Sequence, residues 1–265
     1  IYPLNWLLLP FSVTNAVKIA IITHLFIAAL GTYKLALHSL NIHKSSAFVA
    51  AITFAFGGHM IAKIEQINQL QGLAWMPWIL LYANYLVLNI RDFRKSISNI
   101  TSISLLIAIQ IFSGHTQSTF ISIIALLIWS FVIITFQKLP LDKNNINTPT
   151  IQSSNKYINL LLSIATCSLL AIMLSAAQIL PTLELSQLSL RDTGLSLNES
   201  LSFSIHPQLL GRSLLPSLTR PLFTEFIGYI GITGLTLMII GLYSTTTHSQ
   251  STPYPAIALT IIGLL

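Results

Sequence analysis

The sequence predicts an all-α, polytopic transmembrane helical bundle, and three observations lead there. Only 8% of the 265 residues are charged, where an ordinary globular chain has about 25%. Mean hydropathy is strongly positive, at +0.75. The 13 Lys/Arg and 7 Asp/Glu are bunched, so that residues 19–33, 45–62, 66–90, 96–137, 157–183 and 226–265 carry no charge. Crossing a bilayer takes about 20 apolar residues of helix, and most of these gaps supply them. The same composition excludes intrinsic disorder, which needs low hydrophobicity and high charge. Cys167 is the single cysteine, so no disulfide can form within the chain.

Taken in order, the gaps yield about eight helices. Those near 15–37, 45–62 and 70–89 each occupy one of the first three gaps. The gap 96–137 is long enough for two, near 97–112 and 117–136, divided by the polar turn Ser113-Gly114-His115-Thr116-Gln117. The next lies near 157–177 and runs towards Pro181, which lacks a backbone donor and is expected to bend or break a helix. The last gap divides at Ser244 to Pro255 into helices near 226–243 and 254–265. Membrane barrels would show alternation over about ten residues, whereas these runs are apolar all round. The chain starts at Ile1, with no basic lead-in and cleavage site, and stops inside the apolar run Ala256 to Leu265. The expectation is therefore part of one transmembrane domain over 1–265, truncated at both ends, with a longer outer loop near 178–225.

Orientation follows from Lys and Arg in alternate loops. If the first span runs inward, the inner connections hold Lys34, Lys44, Arg91, Arg94, Lys95, Lys138, Lys143 and Lys156, eight of the 13. The outer side keeps Lys18, Lys63, Arg191, Arg212 and Arg220, three of them in the long loop where the rule weakens. The net charge of +6 then becomes a basic inner surface facing anionic lipid. Nucleic acid would need a basic, aromatic-lined stripe on a soluble surface, and none is present.

With this topology the unusual polar residues collect outside. Glu65, Glu184, Asp192, Glu199 and Glu225 are five of the seven acids, and His59, His115 and His206 three of the seven histidines. His115 and Gln117 sit in the short turn between two spans. Gln178 and Glu184 follow the end of a span, and Glu184, Gln187 and Arg191 would share a face if that segment is helical. Two readings stand for each: a wetted loop or headgroup-level helix, or contact with a ligand's hydroxyls or phosphate. Other chemistry is poorly served. There is no H-E-x-x-H, Walker A, G-x-G-x-x-G or G-x-S-x-G pattern, and the histidines are scattered singly. Gly228, Gly231 and Gly234 read as small residues that let helices approach. Cys167 reads as apolar filler, and His24 as a structural hydrogen bond inside a span. Trp6, Trp75, Trp78 and Trp129 read mostly as interfacial anchors.

Several motifs, in order, resemble the YfhO family of bacterial membrane proteins. They are Phe54-Ala55-Phe56-Gly57-Gly58-His59, then Gln69-Leu70-Gln71-Gly72-Leu73-Ala74-Trp75-Met76-Pro77-Trp78 running on to Leu81, and Ser113-Gly114-His115-Thr116-Gln117. Gln178-Ile179-Leu180-Pro181-Thr182-Leu183-Glu184, with Ser189 and Arg191, and Glu225-Phe226-Ile227-Gly228-Tyr229-Ile230-Gly231 complete the series. Phe226 stands where the family often has tyrosine. The resemblance implies a GT-C type glycosyltransferase of the bacterial inner membrane, moving a sugar from a polyprenyl-phosphate donor to a cell-envelope acceptor at the outer face. Its catalytic acid, in the first outer loop, would lie upstream of Ile1, so no residue here is assigned as catalytic. His59, His115, Gln117, Gln178, Glu184, Arg191 and Glu225 are the expected substrate-binding residues, with Arg191, helped by Lys63 or Arg212, on the lipid phosphate. No cofactor is indicated, although cationic or divalent-metal stabilisation of the leaving phosphate is the chemistry such a transfer needs. The expected partners are the bilayer and the lipid-linked sugar. The rival readings are a non-catalytic transporter or lipid-handling protein, for which no internal repeat is evident, and a non-catalytic remnant.

Overall fold

The computed structural model describes residues 2–90, 92–136, 153–189, 194, 201, 210–213 and 227–247, and among them every regular element is helical. A single turn, α1 (Pro3–Trp6), precedes α2 (Val13–Ser39). The chain then returns through α3 (Lys44–Ala55), α4 (Gly58–Ala62) and a 3-10 turn at Lys63–Glu65. Next come α5 (Ile67–Leu73), α6 (Met76–Leu88), α7 (Phe93–Phe112), α8 (Thr116–Phe136), α9 (Ser153–Leu174) and α10 (Ala176–Gln187). A helical turn at Leu210–Ser213 and α11 (Gly231–Thr247) follow.

Local chemistry sets several boundaries. α2 stops before Asn41, whose φ of 52° is the left-handed conformation that asparagine tolerates at helix ends. The imidazole of His43 then accepts from the Ser45 N–H and caps α3. Asp92 caps α7 by accepting from the Lys95 N–H at 3.2 Å. That hydrogen bond, reinforced by the Lys95 ammonium, holds the Asp92 carboxyl below the usual carboxylate range.

Among the described residues five helical segments are long and apolar enough to cross a membrane: Val13–Ser39, Lys44–Glu65, Phe93–Phe112, Thr116–Phe136 and Lys156–Leu174. They match the expected spans near 15–37, 45–62, 97–112, 117–136 and 157–177, although the second is a composite broken at Phe56-Gly57. The expected span near 70–89 is corrected to two helices, α5 and α6, separated at Ala74-Trp75. Pro77 lies in the first turn of α6, where its missing N–H is tolerated. At 13 residues α6 is about 20 Å long, short of a hydrocarbon core of about 30 Å. The expected helix near 226–243 begins only at Gly231, because residues 227–230 are not helical. The helix expected near 254–265 and most of the outer loop near 178–225 lie outside the described residues.

α6 is the centre of the assembly. Pro77, Ile79, Leu80, Leu81, Ala83, Asn84, Leu86 and Val87 are all buried, and α2, α7 and α8 pack around them. Trp129 of α8 lies in this core at 0% exposure, which corrects its reading as an interfacial anchor. Cys167 of α9 fills the same core as a small apolar side chain. Trp78 is half-buried; its indole lies so close to Gly31 of α2 that a Cβ there would fall 2.5 Å from Nε1, and that N–H donates to the Ile27 carbonyl at 2.9 Å. A second core joins α2, α3, α4 and α5 through Leu25, Ala28, Ala55, Met60, Leu70 and Ala74. Large apolar side chains such as Phe26, Phe48, Phe120 and Phe131 remain exposed on the outside of the bundle, as hydrocarbon-facing surfaces require.

Candidate functional site at the outer end

The end of the bundle that the Lys/Arg count assigns to the outside is built from α1, α4, α5, the α7–α8 turn and α10. Its first component is a chain of hydrogen bonds. Trp75 Nε1–H donates to Tyr2 Oη at 2.8 Å, Tyr2 O–H donates to His24 Nε2 at 2.7 Å, and His24 Nδ1–H donates to the Ala20 carbonyl at 2.7 Å. The directions are forced, because indole can only donate and a carbonyl only accept. His24 is thereby a structural group inside α2, as its sequence reading holds. Burial pushes the Tyr2 phenol above its ordinary pKa, with the Trp75 N–H opposing.

The second component is an amide seam. Gln71 Nε2 donates to Asn5 Oδ1 at 2.8 Å, tying α5 to α1. One residue on, the Gly72 carbonyl accepts from Gln110 Nε2 of α7 at 2.8 Å, and the same nitrogen donates to Ser122 Oγ of α8 at 2.8 Å. The Gln110 Oε1 and Thr119 Oγ1 atoms are buried here with no hydrogen-bond partner among the described residues. A groove of about 350 Å³ opens beside Asn5, walled by apolar residues of 8–20 and by Ile67.

His115 ends the α7–α8 turn and caps α8. Its Nδ1 accepts from the Ser118 N–H at 3.2 Å and from Ser118 Oγ–H at 2.6 Å. That use of Nδ1 as an acceptor puts the proton of the neutral ring on Nε2. Gln117 is exposed on the first turn of α8.

The third component joins two distant motifs. His59 Nδ1–H donates to the Ile227 carbonyl at 3.2 Å, across 168 residues of sequence. Beside it the Gly58 N–H donates to the Tyr229 carbonyl, and Gly228 N–H donates to the Ser213 carbonyl at 2.9 Å. Gly58 is required by this approach: a Cβ would lie 2.7 Å from the Tyr229 oxygen and 3.0 Å from Ile227 Cγ2. Lys63, one turn further on, is 4% exposed. Of the three spaced glycines, Gly234 does face a neighbour, with Thr53 Cγ2 3.2 Å from where its Cβ would stand, whereas Gly231 adopts φ +84° in open space.

The remaining expected residues lie on or beyond α10. The helix break comes at Ser175, between α9 and α10, and α10 runs through Pro181, which corrects the expected break at the proline. Gln178 is half-buried in the first turns of α10, which packs on α9 and α7. Glu184 and Gln187 are exposed further along the same helix. Arg191 and Glu225 lie outside the described residues, as does the side chain of Arg212. The structure thus binds His59 to the segment after Glu225 and sets His115 beside the amide seam. Sequence reasoning missed Tyr2, Asn5, Gln71 and Gln110. Gln110 was detectable as an amide within an otherwise apolar stretch, but Gln71 is one of four amides in residues 66–71, and the partners of Tyr2 and Asn5 stand 22 to 73 residues away and leave no local pattern. Among the described residues no group of three or more His, Cys, Asp or Glu could hold a metal ion. No protein-family model, curated protein or solved structure matches the chain.

Proposed function

We propose that the chain belongs to a membrane glycosyltransferase of the GT-C type, resembling the YfhO family, in a bundle of about eight spans in the bacterial inner membrane. It would move a sugar from a polyprenyl-phosphate donor to a cell-envelope acceptor at the outer end. The observation that carries this reading is the bonding of Gly58 and His59 to Ile227 and Tyr229. Two motifs of the resemblance, far apart in sequence, meet at the end where donor and acceptor would meet. The amide seam and the apolar groove beside Asn5 add polar hydrogen-bonding capacity next to a surface suited to an isoprenoid chain. Sugar hydroxyls are recognised by amides and imidazoles, and the lipid phosphate by a guanidinium; His59, His115, Gln117, Gln178, Glu184 and Glu225 take the first role and Arg191 the second. The base for the acceptor is left to the acidic outer loop that the resemblance implies. Membranes carrying Arg191→Ala or Glu184→Ala are expected to transfer labelled sugar from the lipid donor at least tenfold more slowly, as loss of a charge-assisted contact predicts. Normal transfer by variants that insert normally would remove both residues from the site.

A second reading, a transporter without transfer chemistry, draws on one observation. Both amide atoms of Asn84, at 0% exposure in the central helix α6, have no partner among the described residues, and Trp129 Nε1 and Ser130 Oγ of neighbouring α8 are in the same condition. Polar residues in the interior of a membrane bundle either join helices by hydrogen bonds or line a solute path, and these lack the first kind of partner among the described residues. Uptake of a small polar solute by the wild type that disappears in Asn84→Leu would favour it over the transferase.

A further inference from the structure

Near the end where α8 finishes and α9 begins, the two helices meet through the Phe131 and Tyr157 rings, whose centres lie 5.9 Å apart. α9 packs mainly on α7, and a groove of about 430 Å³ is left between α8 and α9. Four residues of α8, from Leu127 to Val132, and four of α9, from Tyr157 to Ile164, line it, and none carries a charge. Phe131 and Leu161 on its walls are each 59% exposed. From Tyr157 to Ile164 the groove follows about 10 Å of helix, starting at the end where α8 finishes and α9 begins.

That end carries a positioned cation. Lys156 is half-buried, its Nζ donates to the Ile134 carbonyl at 3.2 Å, and it stands 4.8 Å from the Tyr157 ring centre. An ammonium has three N–H donors, so the bond to Ile134 places the charge at the groove mouth with a donor still to give. The sequence joining α8 to α9 adds Lys138 and Lys143 against one acid, Asp142. It is also mostly polar, with Gln137, Asn144, Asn145, Asn147 and Gln152, and so is unsuited to filling an apolar groove itself. We propose that this groove is a binding site for one acyl chain of an anionic phospholipid, whose headgroup phosphate sits on Lys156. The chain would lie along Phe131, Leu161 and Ile164, and Tyr157 would stand at the headgroup level, where amphipathic rings settle.

The test is photolabelling of the protein in phosphatidylcholine vesicles containing a trace of phosphatidylglycerol or phosphatidylcholine with a photoactivatable acyl chain. Labelled peptides are mapped by mass spectrometry. The anionic probe is expected to label the 127–132 and 157–164 peptides about fivefold more than the zwitterionic probe, the preference one lysine near an anionic headgroup confers. Lys156→Gln should abolish that ratio while leaving labelling at Phe26 and Phe48 unchanged. Equal labelling of all exposed apolar helices in the wild type would reduce the groove to ordinary annular lipid and overturn the proposal. So would a ratio that survives in Lys156→Gln, since Lys156 would then serve only the last carbonyls of α8. The wild-type comparison decides the matter even if the variant is unstable.

Discussion

Replacing Tyr2 by phenylalanine removes one oxygen and two hydrogen bonds. Trp75 Nε1–H and His24 Nε2 then lose their shared partner in a buried place, at a cost of about 1–3 kcal/mol for each group left unsatisfied. Tyr2→Phe is expected to lower thermal stability, read by intrinsic fluorescence, and to change the emission of Trp75. The phenol also gives a pH signature. Its folded-state pKa is raised above the ordinary value of 10.0, so its contribution is fully present below about pH 10 and is lost as the pH rises through the higher folded value. The alkaline loss of stability should therefore be shallower in Tyr2→Phe. Gly58→Ala tests the other junction. The added Cβ collides with the Tyr229 carbonyl, and such overpacking costs about 1–3 kcal/mol. Protease cleavage near residues 210–230 should accelerate in this variant; an unchanged rate would mean that the Ile227–Tyr229 segment is held by other contacts. At this scale the sequence is a partial guide. His24 is readable as structural because a lone histidine in an apolar run needs only local bonds, and Ala20 supplies one. Tyr2 is not, because a phenol's partner is chosen by the fold.

At the scale of elements, the charge-free gaps locate helices by length and miss what packing does to them. Residues 66–90 look like one span by that measure, yet the chain turns at Ala74-Trp75, where the Trp75 indole reaches for Tyr2. Pro181 looks like a breaker, yet α10 continues through it, with Thr182 Oγ–H donating to the Gln178 carbonyl at 2.7 Å. The break falls instead at Ser175, whose Oγ–H folds back onto the Ala171 carbonyl at 2.6 Å. Asn84 offers a sharper element-scale test. Its amide is enclosed by α6 and its neighbours without partners among the described residues, so Asn84→Leu replaces an unpaired polar group by an apolar one with the same branched heavy-atom outline. Stability in detergent should rise by about 1–3 kcal/mol, measured by heating with a thiol-reactive dye that reports Cys167. A fall would show that the amide is bonded in the membrane-embedded protein.

For the whole molecule, the five apolar segments and the loop charges make a topology that can be checked directly. Cys167 is buried and free, so introduced cysteines report alone. Lys44→Cys and Lys95→Cys should react with an impermeant maleimide only from the cytoplasmic side, and Asn68→Cys and Gln117→Cys only from the opposite side. All four positions are exposed. Labelling of Lys95→Cys and Gln117→Cys from one side would refute the crossing of α7. Composition made the class of fold legible, because a chain with so few charges has no other stable way to fold around long apolar helices. The site was legible only as a face, since the polar residues of Gly57–His59 and Ser113–Gln117 lie at helix ends; their pairings were not.

The short, enclosed α6 has a consequence for how the protein is made. Thirteen residues give a nascent helix little independent hold on the bilayer, and every face of this one is destined for protein. As the chain leaves the ribosome, α6 emerges before α7 and α8, two of the three helices that will surround it. It must wait, half-sheltered against α2 by the Trp78 latch on Ile27, until two later arrivals close the ring. The heart of the bundle is thus completed from its outside, and synthesis stalled before α8 would strand its most enclosed helix without a home.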